Sequence, residues 1–154
     1  MNSLGRDLAQ NIIALPALAD ANLTAGGAGD DTDANGIAID TLSYPKAEAV
    51  TFIVQGTASL AASQTLALPI RVQDSDNGST GWTDVQDPRV GGVAAATKTS
   101  EAGAGTKTVA TVVGVPLEYC KRYVRCVAKP NLSAGGTDTA RIQGVAVLSG
   151  LAKV

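Results

Sequence analysis

Between Thr65 and Val85 the sequence reads as a strand, a tight polar turn and a returning strand, and this pattern limits the fold more than any other stretch. Leu66, Leu68, Ile70 and Val72 alternate with Thr65, Ala67, Arg71 and Gln73, the two-residue period of a half-buried β-strand. Asp74-Ser75-Asp76-Asn77-Gly78-Ser79-Thr80-Gly81 follows, dense in residues that accept turn geometry, and Trp82-Thr83-Asp84-Val85 leads back. The same alternation returns along the chain. It predicts strands over Ile37 to Leu42, Glu48 to Gly56, Thr106 to Val115, Lys121 to Lys129 and Thr139 to Ser149. Gly91 to Gly105, made of Ala, Gly and Thr with Lys98 and Glu101, reads as a long mobile loop.

Seven or eight short antiparallel strands joined by turn-rich connections predict an all-β fold, a β-sandwich or jelly roll. The side chains agree with that architecture. Of 154 residues 45% are apolar, but only five are aromatic (Tyr44, Phe52, Trp82, Tyr119, Tyr123), so the core must be thin and built from Ala, Val, Leu and Ile. Two sheets packed face to face suit such a core. No apolar run approaches the ~20 residues of a membrane span, so no membrane partner is expected.

Residues 1–36 read as a separate unit, an N-terminal arm followed by a flexible acidic loop, with the sandwich domain over 37–154. Leu4, Leu8, Ile12 and Leu15 recur at helical spacing, Ser3 could cap a short helix, and Pro16 would end it; an extended arm fits equally well. The run Ile12 to Ala19 imitates a leader peptide, yet Asp7 beside Arg6, the polar Gln10-Asn11 and the internal Pro16 argue against export. The chain is therefore expected to remain in the cytosol, or in a particle assembled there. Cys120 and Cys126 fall on one side of the expected Lys121–Lys129 strand and its lead-in. At ~3.3 Å per residue they stand ~20 Å apart, too far to bridge, which predicts two free, at least partly buried thiols.

The sequence carries little catalytic chemistry. Histidine is absent, which removes the commonest general base, the histidine triads and dyads, and the usual zinc sites. The acids lie in Gly-rich stretches with no sign of a buried pocket, so no enzyme, catalytic residue, metal or cofactor is expected. Asp74-x-Asp76-x-Gly78 imitates the start of a calcium loop, but Val85 stands where an EF-hand needs a bidentate Glu, and a side-chain-stabilised turn explains the same letters. Trp82 alone is thin support for a carbohydrate platform.

Charge is unevenly distributed. Through Thr106 there are 12 acidic against 5 basic residues, and from Lys107 onward 2 against 7. Lys121, Tyr123, Arg125 and Lys129 share one face of a strand, a basic stripe with an aromatic ring. The sequence pI of about 4.9 speaks against direct nucleic-acid binding and favours a solvated or subunit-facing surface. Facing a subunit, its natural partner is the acidic Asp30, Asp31 and Asp33 loop of a neighbouring copy.

Leu68-Pro69-Ile70-Arg71-Val72-Gln73-Asp74-Ser75-Asp76-Asn77-Gly78-Ser79-Thr80-Gly81-Trp82-Thr83-Asp84-Val85, following the strand Val50-Thr51-Phe52-Ile53-Val54-Gln55-Gly56, resembles the head decoration (cement) proteins of tailed bacteriophages. The Ala- and Gly-rich N-terminal segment and the Tyr123-Val124-Arg125 strand are similar too, and the resemblance spans about residues 45–147. It implies a jelly-roll-like sandwich without catalysis or cofactor, forming homotrimers at three-fold and quasi-three-fold positions on the outside of the virion. Each trimer would bind the major capsid protein and clamp capsomers against the pressure of packaged DNA. Such families often clamp through a terminal arm, and Leu4, Leu8, Ile12, Ile13, Leu15 and Leu18 are residues of the kind required. Strand, Ser-Asp-x-Gly turn and Trp strand also occur in tail and fibre modules, which leaves a glycan-binding surface module as the alternative.

Overall fold

Residues 11–133 and 136–151 are described by a computed structural model. Thirteen strands follow one another: β1 (Ile12–Thr24), β2 (Ala34–Asn35), β3 (Ile39–Asp40), β4 (Ala49–Leu60), β5 (Leu66–Ser75), β6 (Thr83–Asp84), β7 (Gln86–Asp87), β8 (Gly92–Val93), β9 (Ala95–Thr99), β10 (Gly105–Pro116), β11 (Tyr123–Ala128), β12 (Asn131–Leu132) and β13 (Thr139–Ser149). The first sheet runs β1-β13-β4-β10, antiparallel throughout. The second is centred on β5 and β11. There β12 prolongs β11 along one side of β5, β6 and β9 share its other side, and β2 and β3 line the far side of β11. Merging those interrupted pieces leaves eight lanes in chain order. One sheet takes the first, eighth, third and sixth, and the other the second, seventh, fourth and fifth. That is jelly-roll connectivity, and the chain is an all-β sandwich.

The alternation read from the sequence becomes the core. Val50, Phe52, Val54, Ala58 and Leu60 of β4 face Leu66, Leu68, Ile70 and Val72 of β5, all buried. Val113 and Val115 of β10, Val124 and Cys126 of β11, and Ile142 and Leu148 of β13 complete the layer. Phe52 is fully buried in an inner strand, where small branched neighbours leave room for its ring. The buried Thr111 hydroxyl donates to the Leu68 carbonyl at 2.7 Å, tying β10 in one sheet to β5 in the other.

Several expectations change. Ile12–Thr24 is neither arm nor helix but an outer strand, laddered to β13 with two bulges, between Pro16 and Leu18 and between Leu18 and Ala21. Its apolar residues find a sheet to lie on, which outweighs a helical spacing that could stabilise only a marginal helix. Pro16 sits in an edge strand, where a missing N–H is tolerated. Leu4 and Leu8 lie outside the described residues. The Gly91–Gly105 stretch is not one long loop: β9 covers the edge of β5 from Ala67 to Arg71, and Ala94 is buried. Over Ile37–Leu42 only β3 forms, because Asp40 accepts from the Leu42 N–H at 3.1 Å and turns Thr41–Ser43 into a 3-10 turn. Another such turn, Leu117–Tyr119, precedes Cys120, so the strand starts at Tyr123 and carries only Cys126 of the two free cysteines.

Candidate docking surface

The two outer faces of the sandwich differ in kind. On the second sheet, charge is answered within the chain. The Arg125 guanidinium lies 4.2 Å from the Trp82 ring centroid and donates to Gln73 Oε1 at 2.8 Å and 3.2 Å. Gln73 donates to Asp84 at 2.9 Å, and Arg71 reaches Asp84 at 3.2 Å and Asp33 at 2.6 Å. Lys129 pairs with Asp31 at 3.0 Å, Lys121 with Asp76 at 3.6 Å, and Arg122 with Asp40 at 2.8 Å. Asp30 accepts from the Gly26 and Leu132 N–H groups at 2.7 Å and 2.8 Å. The stripe Lys121, Tyr123, Arg125 and Lys129 thus meets acids or stacking partners of its own chain, while Asp31 and Lys129 stay partly exposed.

These contacts shift the titrating groups. The hydrogen bond from Arg71 holds Asp33 below the usual carboxylate range, and those from Lys129 and Arg122 do the same for Asp31 and Asp40. Burial lowers Arg125. Solvent screens these exposed pairs, so they fasten the 30–43 segment rather than create a reactive centre.

The polar turn is equally self-contained. Asp74 accepts from the Thr83 hydroxyl at 2.9 Å and from the Lys121 N–H at 3.0 Å, and Asn77 Oδ1 accepts from the Ser79 and Thr80 N–H groups, each at 2.9 Å. Gly78 has φ of 74° and rests against Tyr123, whose ring would lie 2.8 Å from a Cβ there, so only glycine fits. Among the described residues no three His, Cys, Asp or Glu side chains converge as a metal site would need. The Trp82 ring that a sugar would stack on is already faced by Arg125.

Among the described residues nothing covers the outer face of the first sheet. Its four strands hold three charged residues, Asp20, Lys107 and Arg141, and Asp20 pairs with Arg141. Strand register aligns the outward side chains in rows. Val112, Ile53, Val145 and Pro16 form one continuous apolar row across all four strands. Gly114, Thr51, Val147 and Ala14 form the next, and Gln55 with Gln143 begin a polar zone on the other side. Val112 and Val145 are 51% and 45% exposed. The bulged β1 leaves a shallow depression of about 430 Å³ beside this row, between Pro16, Asp20, Ile53 and Gln143. Four strands ~4.8 Å apart and ~12 residues long span about 750 Å², close to one partner's share of a standard interface.

The residues proposed from sequence for capsid contact divide. Leu18 is buried and Ile13 and Leu15 pack on the core, so these three serve the sandwich, whereas Ile12 stands at the end of the outer face. The apolar row itself went unmarked in the sequence. A signal was present: Ile53 and Val112 are apolar at positions whose phase, set by Phe52–Val54 and Val109–Val113, points outward.

No protein-family model matches the chain, and no curated protein matches it in sequence. Among solved structures it is similar to the SPBc2 prophage-derived protein YomS, at 9% identity and a TM-score of 0.35, covering 89% of this chain and 93% of that one. It is also similar to Eiger TNF from S. frugiperda (10% identity, TM-score 0.39, 94% and 95% covered) and to Desmodium yellow mottle tymovirus (10%, 0.33, 93% and 83%).

Proposed function

We propose that this chain is a non-catalytic decoration protein of a tailed-bacteriophage head. In this reading it is made in the host cytoplasm and seats as a homotrimer on the outer surface of the major capsid protein lattice, reinforcing the shell against the DNA inside. The observation that carries the reading is the outer face of the β1-β13-β4-β10 sheet, bare of other described residues, nearly free of charge and large enough for a specific interface. A surface of this kind costs solubility if it stays open, and it matches an equally uncharged protein surface. The resemblance of Leu68–Val85, following the Val50–Gly56 strand, to cement proteins points the same way. Three-fold assembly needs heterologous contacts, for which the partly exposed Asp31–Lys129 pair is our candidate, with Leu4 and Leu8 kept as proposed capsid-contact residues of the N-terminal segment.

Co-sedimentation with heads assembled from the cognate major capsid protein tests this. Truncation must stop at residue 10, because removal through Leu18 takes half of β1 with it. The full chain is expected to bind saturably with a trimer stoichiometry. A full chain that stays in the supernatant rejects the decoration role. A 1–10 truncation that binds as well as the full chain rejects the arm as the clamp and leaves the sheet face as the contact.

A further inference from the structure

Among the described residues the sandwich protects three of the four edges of its two main sheets, while the fourth, β10, has β9 of the other sheet nearby but no strand paired on its outward side. An exposed edge strand offers unpaired N–H and C=O groups to any other chain, and proteins normally blunt such edges with proline, charge, bulges or shortness. On β1 the devices are Pro16, Asp20 and two bulges. The edge beyond β11 is broken into β2 and β3, two residues each, and the edge beyond β5 consists of β6 and the five-residue β9 with Lys98. β10 has twelve residues, no bulge in its ladder, and no charge from Thr108 to Pro116.

The phase of that edge is fixed by its end. The Leu117 N–H donates to the Glu48 carbonyl at 2.8 Å, so the odd-numbered residues of β10 bond to β4 and the even-numbered ones direct their backbone groups outward. Two outward carbonyls have partners among the described residues: that of Gly114 accepts from Arg89 at 3.2 Å, Arg89 itself being clamped by Asp87 at 2.7 Å, and that of Pro116 accepts from the Cys120 thiol at 3.6 Å. Those contacts close one end of the edge and leave Thr106, Thr108, Ala110 and Val112 with outward backbone groups that have no partner among the described residues.

We propose that this window pairs antiparallel with the same window of a second copy across a two-fold axis, joining two four-stranded sheets into one of eight. The edge is self-complementary: the outward row is Thr, Thr, Ala and Val, so pairing it with itself brings no like charges together on that row. About eight backbone hydrogen bonds would form, and the apolar row through Val112 would continue across the junction. A strand from an unrelated partner would meet the same edge, but the symmetric arrangement needs nothing beyond this chain, and it commits to an isologous contact. This contact is independent of the capsid reading and of any three-fold one.

The experiment is the solution mass of the full chain by light scattering, compared between wild type and Ala110→Pro. Proline there removes only an outward N–H and leaves the β4 ladder intact. Wild type is expected at an even multiple of the chain mass, and Ala110→Pro at half the wild-type mass. A wild-type trimer or monomer whose mass Ala110→Pro does not change overturns the proposal while leaving the decoration reading standing. Hydrogen exchange on wild type covers the case of a variant that fails to fold. The amides of Thr108, Ala110 and Val112 should be protected at high protein concentration and exchange on dilution, whereas Val109 and Thr111 stay protected throughout. Exchange of the outward amides that does not depend on concentration overturns it as well.

Discussion

Replacing Val112 and Val145 with Asp separates docking from folding. Both side chains are already about half exposed, in β10 and β13, and neither reaches the core. Surface changes of this kind cost within about 0.5 kcal/mol apiece, with up to ~1 kcal/mol more where a β-branched residue leaves a strand. For the pair that is at most ~3 kcal/mol, or ~6–12 °C in melting temperature. In a docked face the balance differs. Fully burying a valine is worth ~1.5–3 kcal/mol, and about half of that remains to be gained here, roughly 1 kcal/mol for each site. A carboxylate forced into the same dry contact adds at least ~2 kcal/mol of desolvation. With both terms at both sites the double substitution should thus cost about 6 kcal/mol, more than ten-thousand-fold in affinity for heads. Co-sedimentation across a range of protein concentrations, with circular dichroism as the control for folding, measures it. Unchanged occupancy of a well-folded variant would show that the bare sheet is not the docking face, and the proposed function would lose its main support.

Three further outcomes follow from the packing and the ion pairs. Gly36→Ala places a Cβ 2.5 Å from the backbone carbonyls of both Ala17 and Cys126, at a joint where the Gly36 N–H bonds Cys126 and the Ile37 N–H bonds Ala17. Losing those two bonds and shifting backbone that no side chain can relieve should cost about 3 kcal/mol, or ~6–12 °C in thermal unfolding, and an unchanged midpoint would refute the close approach. Arg71 holds Asp33, and Arg122 holds Asp40, below the unfolded carboxylate value of ~3.9, so their stabilisation is present above that pH and is lost as pH falls through the folded values. Melting temperature should be nearly flat down to about pH 5 and drop below ~4, with a shallower drop in Arg71→Ala; a steeper one would reverse the sign. Burial pushes the Cys120 thiol up to about 12 and the Cys126 thiol to about 11, so both should resist a thiol reagent near pH 8 until the chain is denatured.

What the sequence made legible was the inner half of the fold. Val50-Phe52-Val54 and Leu66-Leu68-Ile70-Val72 announce strands because burial on one side forces a two-residue period, and the structure buries each of them. The pieces it hid are those whose conformation is set by neighbours. Ala95–Thr99 has no large side chain to declare a strand, yet it becomes one because the edge of β5 needs a partner along Ala67–Arg71. Ile12–Leu18 carries leucines at a helical spacing, and only the adjacent β13 converts them to a ladder. Cys120 lost its strand to a 3-10 turn that Pro116 introduces.

The lopsided halves allow two readings, one end attracting the other or attracting a neighbouring copy. A jelly roll lays late strands beside early ones, so β11 brings Lys129 within 3.0 Å of Asp31 and β5 brings Arg71 to Asp33 within one chain. The topology that makes the sandwich therefore neutralises much of the asymmetry inside one chain. What remains unsatisfied is the opposite of a charged patch: a row of Val112, Ile53, Val145 and Pro16 and an open strand edge beside it. Both features are apolar or backbone-only, and neither has a compositional signature. They become visible once strand register places four residues from four distant parts of the chain on one line, and the row and the edge meet at Val112. A single residue there is exposed to a face contact through its side chain and to an edge contact through its N–H and C=O. The two contacts can be separated experimentally, because Asp at 145, two strands in from the edge, alters the face, while Pro at 110 removes an outward N–H of the edge and leaves the apolar row in place. If either contact is real, the corresponding variant should lose it and keep the other.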